Sequence, residues 1–136
     1  MVKLIMGLKG AGKTKQVIEL VNKAVLEESG DIVCIEKGRT LRYDIPHTVR
    51  LIDSSQYDFN CYDFFKGFIC GLYSANYDIT HIYVDSVHKI IGEEPEEKIE
   101  DFLDWCARFS ERENVNFTIT ITADATKASD GLKKYF

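Results

Sequence analysis

The stretch that decides how this chain folds is Gly7-Leu8-Lys9-Gly10-Ala11-Gly12-Lys13-Thr14. It has the spacing G-x-x-x-x-G-K-[ST] of a phosphate-binding loop. Its flanks give the spacing meaning. Val2, Leu4, Ile5 and Met6 form a short apolar run that predicts a buried strand before the loop. After it, Val17, Leu20, Val21 and Ala24 recur at helical spacing, and Ile18 and Val25 widen the stripe. Strand, glycine-rich loop and helix therefore follow one another.

Gly7, Gly10 and Gly12 can take backbone angles closed to other residues, so the loop can curl with its N–H groups inward. Those N–H groups, from Gly7 through Leu8, Lys9, Gly10, Ala11 and Gly12 to Lys13 and Thr14, together with the N-terminus of the next helix, favour a polyanion. Lys13 adds a point charge for the outer phosphates. Thr14 offers a hydroxyl to Mg²⁺, an ion that keeps few protein ligands beside phosphates and water. The expected ligands are a nucleoside triphosphate and Mg²⁺.

The second informative stretch is His81-Ile82-Tyr83-Val84-Asp85, an apolar strand ending in a carboxylate. Downstream of a phosphate loop this has the form of a Walker B element, with Asp85 expected at the Mg²⁺. Lys13 and Asp85 are the candidate catalytic residues, and Thr14 and Asp85 the candidate metal ligands.

Between these stretches the chain reads as alternating strands and helices. Helix 13–28 stops before Gly30, and Ile32-Val33-Cys34-Ile35 makes a strand closed by Glu36. Lys37-Gly38-Arg39 reads as a turn, and Thr40-Leu41-Arg42-Tyr43 as an edge strand in a hairpin with its predecessor. Val49-Arg50-Leu51-Ile52 forms another strand, ending at Asp53, with Ser54 and Ser55 as capping residues. An aromatic helix spans about 60–75. Its Gly67, Gly71 and Ala75 stand four apart and predict close approach to the sheet. Pro95 and its acidic neighbours suit a helix start, and Ile99, Phe102, Leu103, Cys106 and Phe109 make that helix's apolar stripe. Phe117-Thr118-Ile119-Thr120-Ile121-Thr122 is a strongly alternating strand. A short C-terminal helix is expected to dock through Leu132, Tyr135 and Phe136.

This order predicts a single small α/β domain over residues 1–136, a mostly parallel sheet with helices on both faces. Ligands of such sheets lie beyond the carboxyl ends of the strands. Four strands end in acid there: Glu36, Asp53, Asp85 and Asp124.

Composition narrows the function. The 136 residues are 45% hydrophobic and 29% charged, ordinary globular usage with room for one core. A net charge of −5, from 22 acidic and 17 basic residues, argues against nucleic acid as principal partner. No run reaches membrane-spanning length, and no charged-then-apolar leader precedes the first strand, which predicts a cytoplasmic protein. Cys34, Cys61, Cys70 and Cys106 form no C-x-x-C pair, and Cys34 and Cys106 read as small buried hydrophobes. No linker, repeat or low-complexity segment interrupts the chain.

The sequence resembles a group of small single-domain bacterial P-loop proteins labelled as ATP-binding or twitching-motility ATPase-like. The residues that carry the likeness are Lys3 through Thr14, Cys34-Ile35-Glu36-Lys37-Gly38, Val49 through Asp53, Gly67 through Gly71, Asn76 through Ser86, and Leu132 through Tyr135. Together they cover essentially the whole chain. The resemblance implies a P-loop NTPase-like fold and ATP in preference to GTP.

Three functions fit these residues. One is ATP binding with weak or partner-stimulated hydrolysis. Ser86 occupies the place after Asp85 where many ATPases carry a Glu, so the water-orienting group would be Glu36, Asp53, Asp124 or a residue of a partner or second subunit. The others are a small-molecule kinase and a non-catalytic nucleotide-dependent switch or assembly module.

Overall fold

A computed structural model describes all 136 residues. Five strands, β1 (Val2–Gly7), β2 (Asp31–Glu36), β3 (Arg50–Asp53), β4 (Ile79–Val84) and β5 (Asn116–Thr122), form one sheet in the order β1-β5-β4-β2-β3. Every pairing is parallel. The helices are α1 (Lys13–Glu27), α2 (Tyr62–Ala75), α3 (Val87–Ile91), α4 (Glu96–Glu113) and α5 (Asp130–Lys133). None is long and apolar enough to cross a membrane.

Alternation along the strands divides the core in two. Ile32 and Cys34 of β2 point to one face, where α1 seats Val17, Val21 and Ala24. Val33 and Ile35 point to the other, where α2 and α4 bring Phe65, Ile69, Phe102, Leu103, Cys106 and Phe109. Both faces are covered, as a parallel sheet requires. Burial pushes the Cys34 and Cys106 thiols up, so both stay protonated.

Four expectations are corrected. Residues 40–44 form turns, not an edge strand, because Glu36 captures the chain: Oε1 accepts from the Thr40 hydroxyl at 2.5 Å and Oε2 from the Leu41 N–H at 2.9 Å. Leu41 is thereby driven into the core beside α1 instead of alternating along a strand. Gly30 is not a left-handed stop. Helix α1 ends on an extended Glu28, and Gly30 is needed because a Cβ there would lie 2.0 Å from Cγ2 of Thr80 and 2.6 Å from the Asp78 carbonyl. Gly67, Gly71 and Ala75 do not carry α2 against the sheet. They are exposed, and a Cβ on either glycine meets nothing within 4 Å. At the C-terminus Leu132 is buried and Tyr135 binds twice, its carbonyl accepting from the Leu4 N–H and its hydroxyl donating to Asp104. Phe136 is half exposed rather than docked.

One buried polar group sits far from the loop. His81 lies flat on Tyr83, with ring centroids 4.1 Å apart, between Glu28 at 3.1 Å from Nδ1 and Thr118 at 2.9 Å from Nε2. Desolvation holds its imidazole below the usual value near 6.5 and outweighs the opposing pull of Glu28. The neutral ring satisfies both partners, with Nδ1–H donating to Glu28 and Nε2 accepting from Thr118.

Two predictions follow from the packing. Gly30→Ala should cost about 1–3 kcal/mol through overpacking, whereas Gly67→Ala should gain about 0.5–1 kcal/mol by removing a helix-interior glycine from open surface. Paired urea titrations measure both signs. Because the folded-state pKa of His81 is depressed, the neutral ring's stability is present above about 6.5 and is lost as pH falls below it. His88 acts with the same sign, and the lowered carboxylates Asp53, Asp104 and Asp124 act only at lower pH. Melting curves between pH 7.5 and 5 should show wild type losing stability with acidification and His81→Gln losing less.

Candidate functional site

β1 ends at Gly7, and the chain turns over Gly10 (φ 86°) and Gly12 (φ 84°) before α1 begins at Lys13. Both angles lie in the left-handed region that side chains resist, so glycine is required at these two points. A Cβ on Gly7 would come within 3.1 Å of the Ala11 Cβ, which fixes how tightly the loop closes. Lys13, 8% exposed as a residue, lies back over the loop, and its ammonium donates to the Leu8 carbonyl at 3.0 Å.

Asp85 follows β4 and is 7% exposed. Both carboxylate oxygens have partners: the Thr14 hydroxyl donates to Oδ2 at 3.1 Å, and the Thr120 hydroxyl donates to Oδ1 at 2.7 Å. Thr120 Oγ1 also accepts from the Ser86 N–H at 2.7 Å. Thr120 therefore fixes the carboxylate and the backbone just beyond it at once. Ser86 itself is left-handed at φ 58°, a conformation that costs a non-glycine residue on the order of 1 kcal/mol. The structure thus brings together Thr14 and Asp85, the two expected metal ligands, 71 residues apart in the chain.

The loop opens into a cavity of about 300 Å³. Lys9, Lys13, Lys15 and Lys89 line it with Gly10, Gly12, Thr14, Ser86 and Thr122, and no carboxylate is among them. Four cationic side chains on one concavity of a chain with net charge −5 make a concentrated positive field. Lys89 comes from α3, a helix that sequence reading missed because five residues between the end of β4 and Gly92 leave no periodic pattern to count. Next to it, His88 is held below its usual range, by burial first and then by Lys89 and Lys13, and its Nδ1 is buried without a hydrogen-bond partner. Thr120 was hidden for another reason: it is one of several threonines on an alternating strand, and only the register beside β4 singles it out.

The remaining acidic strand ends are engaged elsewhere. Glu36, 3% exposed, holds the 37–45 loop. Asp53 Oδ1 accepts from the Gly38 N–H and from both the N–H and the hydroxyl of Ser55. Asp124 Oδ1 accepts from the N–H and hydroxyl of Thr126, capping a short 3₁₀ turn. The parallel sheet does place all four acids at one rim, but only Asp85 joins the loop. Glu36 lies next to it in the sheet, since the Asp85 N–H donates to the Ile35 carbonyl at 2.9 Å.

The residues fit a nucleotide polyphosphate with Mg²⁺. Left-handed glycines shape a loop of N–H donors, and the ammonium of Lys13 is held at its mouth by a carbonyl. The paired hydroxyl and carboxylate of Thr14 and Asp85 are hard oxygen donors, few in number, as Mg²⁺ prefers.

No protein-family model matches this chain, and no curated protein matches it by sequence. Solved structures do. The KaiC-like protein of the hyperthermophilic archaeon Pyrococcus horikoshii superposes with a TM-score of 0.68 at 22% identity, over 98% of this chain and 66% of that one. The chain thus spans about two thirds of the length of that protein. The neighbour is archaeal and KaiC-like, and it gives no support to the bacterial motility label. At this identity the likeness carries architecture alone, a five-stranded parallel sheet with helices on both faces.

Proposed function

We propose that this protein binds ATP with Mg²⁺ and turns it over slowly by itself, with a partner or second copy supplying what the site lacks. The observation that carries this reading is the Thr14–Asp85 hydrogen bond beneath a cavity lined by four lysines. Loop N–H groups and Lys13 would hold the phosphates, and Thr14 and Asp85 would hold the cation. Bound Mg²⁺ supplies charge neutralisation to the phosphates. Thr120 and the Ser86 backbone keep the Asp85 carboxylate aimed at Thr14. ATP rather than GTP rests on the family resemblance.

Slow turnover follows from where the acids are. Orienting an attacking water needs a free acceptor near the outer phosphate. Ser86 stands where a Glu would serve, and Glu36, the nearest other acid in the sheet, is buried and tied by Thr40 and Leu41 to the 37–45 loop. The same observation favours a second reading, a nucleotide-dependent switch that binds without turnover.

A thermal-shift panel of ATP, ADP and GTP with and without Mg²⁺ tests the site. Saturation at about a hundred times Kd adds roughly 2.7 kcal/mol, a rise on the order of 5–15 °C for a domain this size. Lys13→Ala should abolish the rise, and Asp85→Asn should remove the part that needs Mg²⁺. If wild type and Lys13→Ala respond alike to every nucleotide, the site is misassigned. Phosphate release measured alongside separates slow hydrolysis from a switch.

Two residues of the site have their own expected signatures. Thr120→Val should weaken the Mg²⁺-dependent part of the shift while sparing the Mg²⁺-free part, because it frees the carboxylate without touching the loop. Lys89→Met should weaken ATP more than ADP, about 3–30-fold in the ratio of Kd values, which corresponds to roughly 0.7–2 kcal/mol. An unchanged ratio by calorimetry would remove Lys89 from the phosphate side.

A further inference from the structure

At the open edge of the sheet, three of the chain's five arginines line one cavity. Arg50 lies on β3, and Arg39 and Arg42 come from the turns that Glu36 holds in place. Gln56 and Tyr57 complete the polar wall, and the enclosed space is about 270 Å³. None of the three guanidinium groups forms a salt bridge within the chain. The Arg42 Cζ stands 4.6 Å from the ring centroid of Tyr43. The cavity shares no lining residue with the phosphate loop, which follows the strand at the opposite edge of the sheet.

The one acid in the wall is Asp53. Its Oδ1 already accepts three hydrogen bonds from Gly38 and Ser55, and the wall therefore carries a formal charge of about +2. A lone charge on an edge strand is commonly a guard against strand addition. That role accounts for Arg50 but not for two more arginines brought from a different segment. Guanidinium groups present planar forks that match phosphate oxygens in pairs, and the wall's charge of about +2, three arginines less Asp53, balances a dianion. Tyr57, 43% exposed, adds an aromatic face and a hydroxyl beside them.

We propose that this cavity is a second anion site, one that takes the phosphate monoester of a small molecule between Arg39, Arg42 and Arg50. It is independent of nucleotide binding at the loop. Its size suits one ester group with a small planar body resting on Tyr57, and its charge selects a dianion over a monoanion.

The test uses the full chain carrying Lys13→Ala, so that the phosphate loop does not compete, and phenyl phosphate as probe at constant ionic strength in ¹H–¹⁵N NMR. Saturable shifts are expected at Gly38, Tyr57 and the side-chain Nε–H groups of Arg39, Arg42 and Arg50. Phenyl sulfate, a monoanion, should bind at least about ten-fold more weakly. Arg42→Gln with Arg50→Gln should abolish the shifts, while in the chain with Lys13 restored the nucleotide-induced melting shift stays as in the parent. The proposal is overturned if phenyl phosphate moves none of these signals, if the double substitution leaves them moving, or if sulfate matches phosphate. Tighter binding of a glutamate-rich peptide than of phenyl phosphate also overturns it.

Discussion

The hydrogen bond from Thr14 to Asp85 is the constraint on which the rest of this structure depends. It joins the first turn of α1 to the end of β4, although β5 separates β4 from the strand that feeds the loop. Such a bond depends on the register of three parallel strands. Gly7 pairs with Thr122 while Val84 pairs with Ile119, so β4 stops three residues short of its neighbour's end and Thr120 stands beside Asp85, donating to it. A slip of one residue would turn every side chain of β5 to the opposite face. The apolar Phe117, Ile119 and Ile121 would lose the α4 side of the core, so hydrophobic packing sets the geometry of the polar site.

Much of the fold was legible because it is written in periodicity. The β1–loop–α1 unit, the apolar run of β4 and the stripe of α4 each repeat a pattern long enough to outweigh chance. The place of the loop between β1 and α1 and of Asp85 at the end of β4 was legible as well, since spacing and context are local. What escaped was set by contacts between distant segments. Thr40 to Tyr43 alternates as a strand would, yet a buried carboxylate upstream takes its hydroxyl and N–H and winds it into turns. Gly30 carries no sign that Thr80 lies against it. Gly67 and Gly71 have the spacing of a close-packed helix and none of the packing, because both are exposed and a Cβ on either meets nothing, Gly71 bordering an apolar groove.

Acids at the ends of parallel strands do two different jobs here. Asp53 and Asp124 close short turns through nearly the same hydrogen-bond pattern, an Oδ1 accepting from the N–H and hydroxyl two residues on. Each is exposed enough that its low pKa, due first to the neighbouring hydroxyl, says only that it is ionised. Asp85 is buried and receives two hydroxyls from two different elements. Position at the rim was common to all of them, and the hydroxyl received from the first turn of α1 is what sets Asp85 apart.

The contact between the Lys13 ammonium and the Leu8 carbonyl has a thermodynamic side. A lysine folded onto its own loop is already desolvated and already short of rotamers before any guest arrives. An incoming anion would exchange one oxygen partner for a better one rather than recruit a side chain from solvent. Most of the entropy of assembling this cradle is therefore spent when the chain folds, and little of it remains to be charged against the guest.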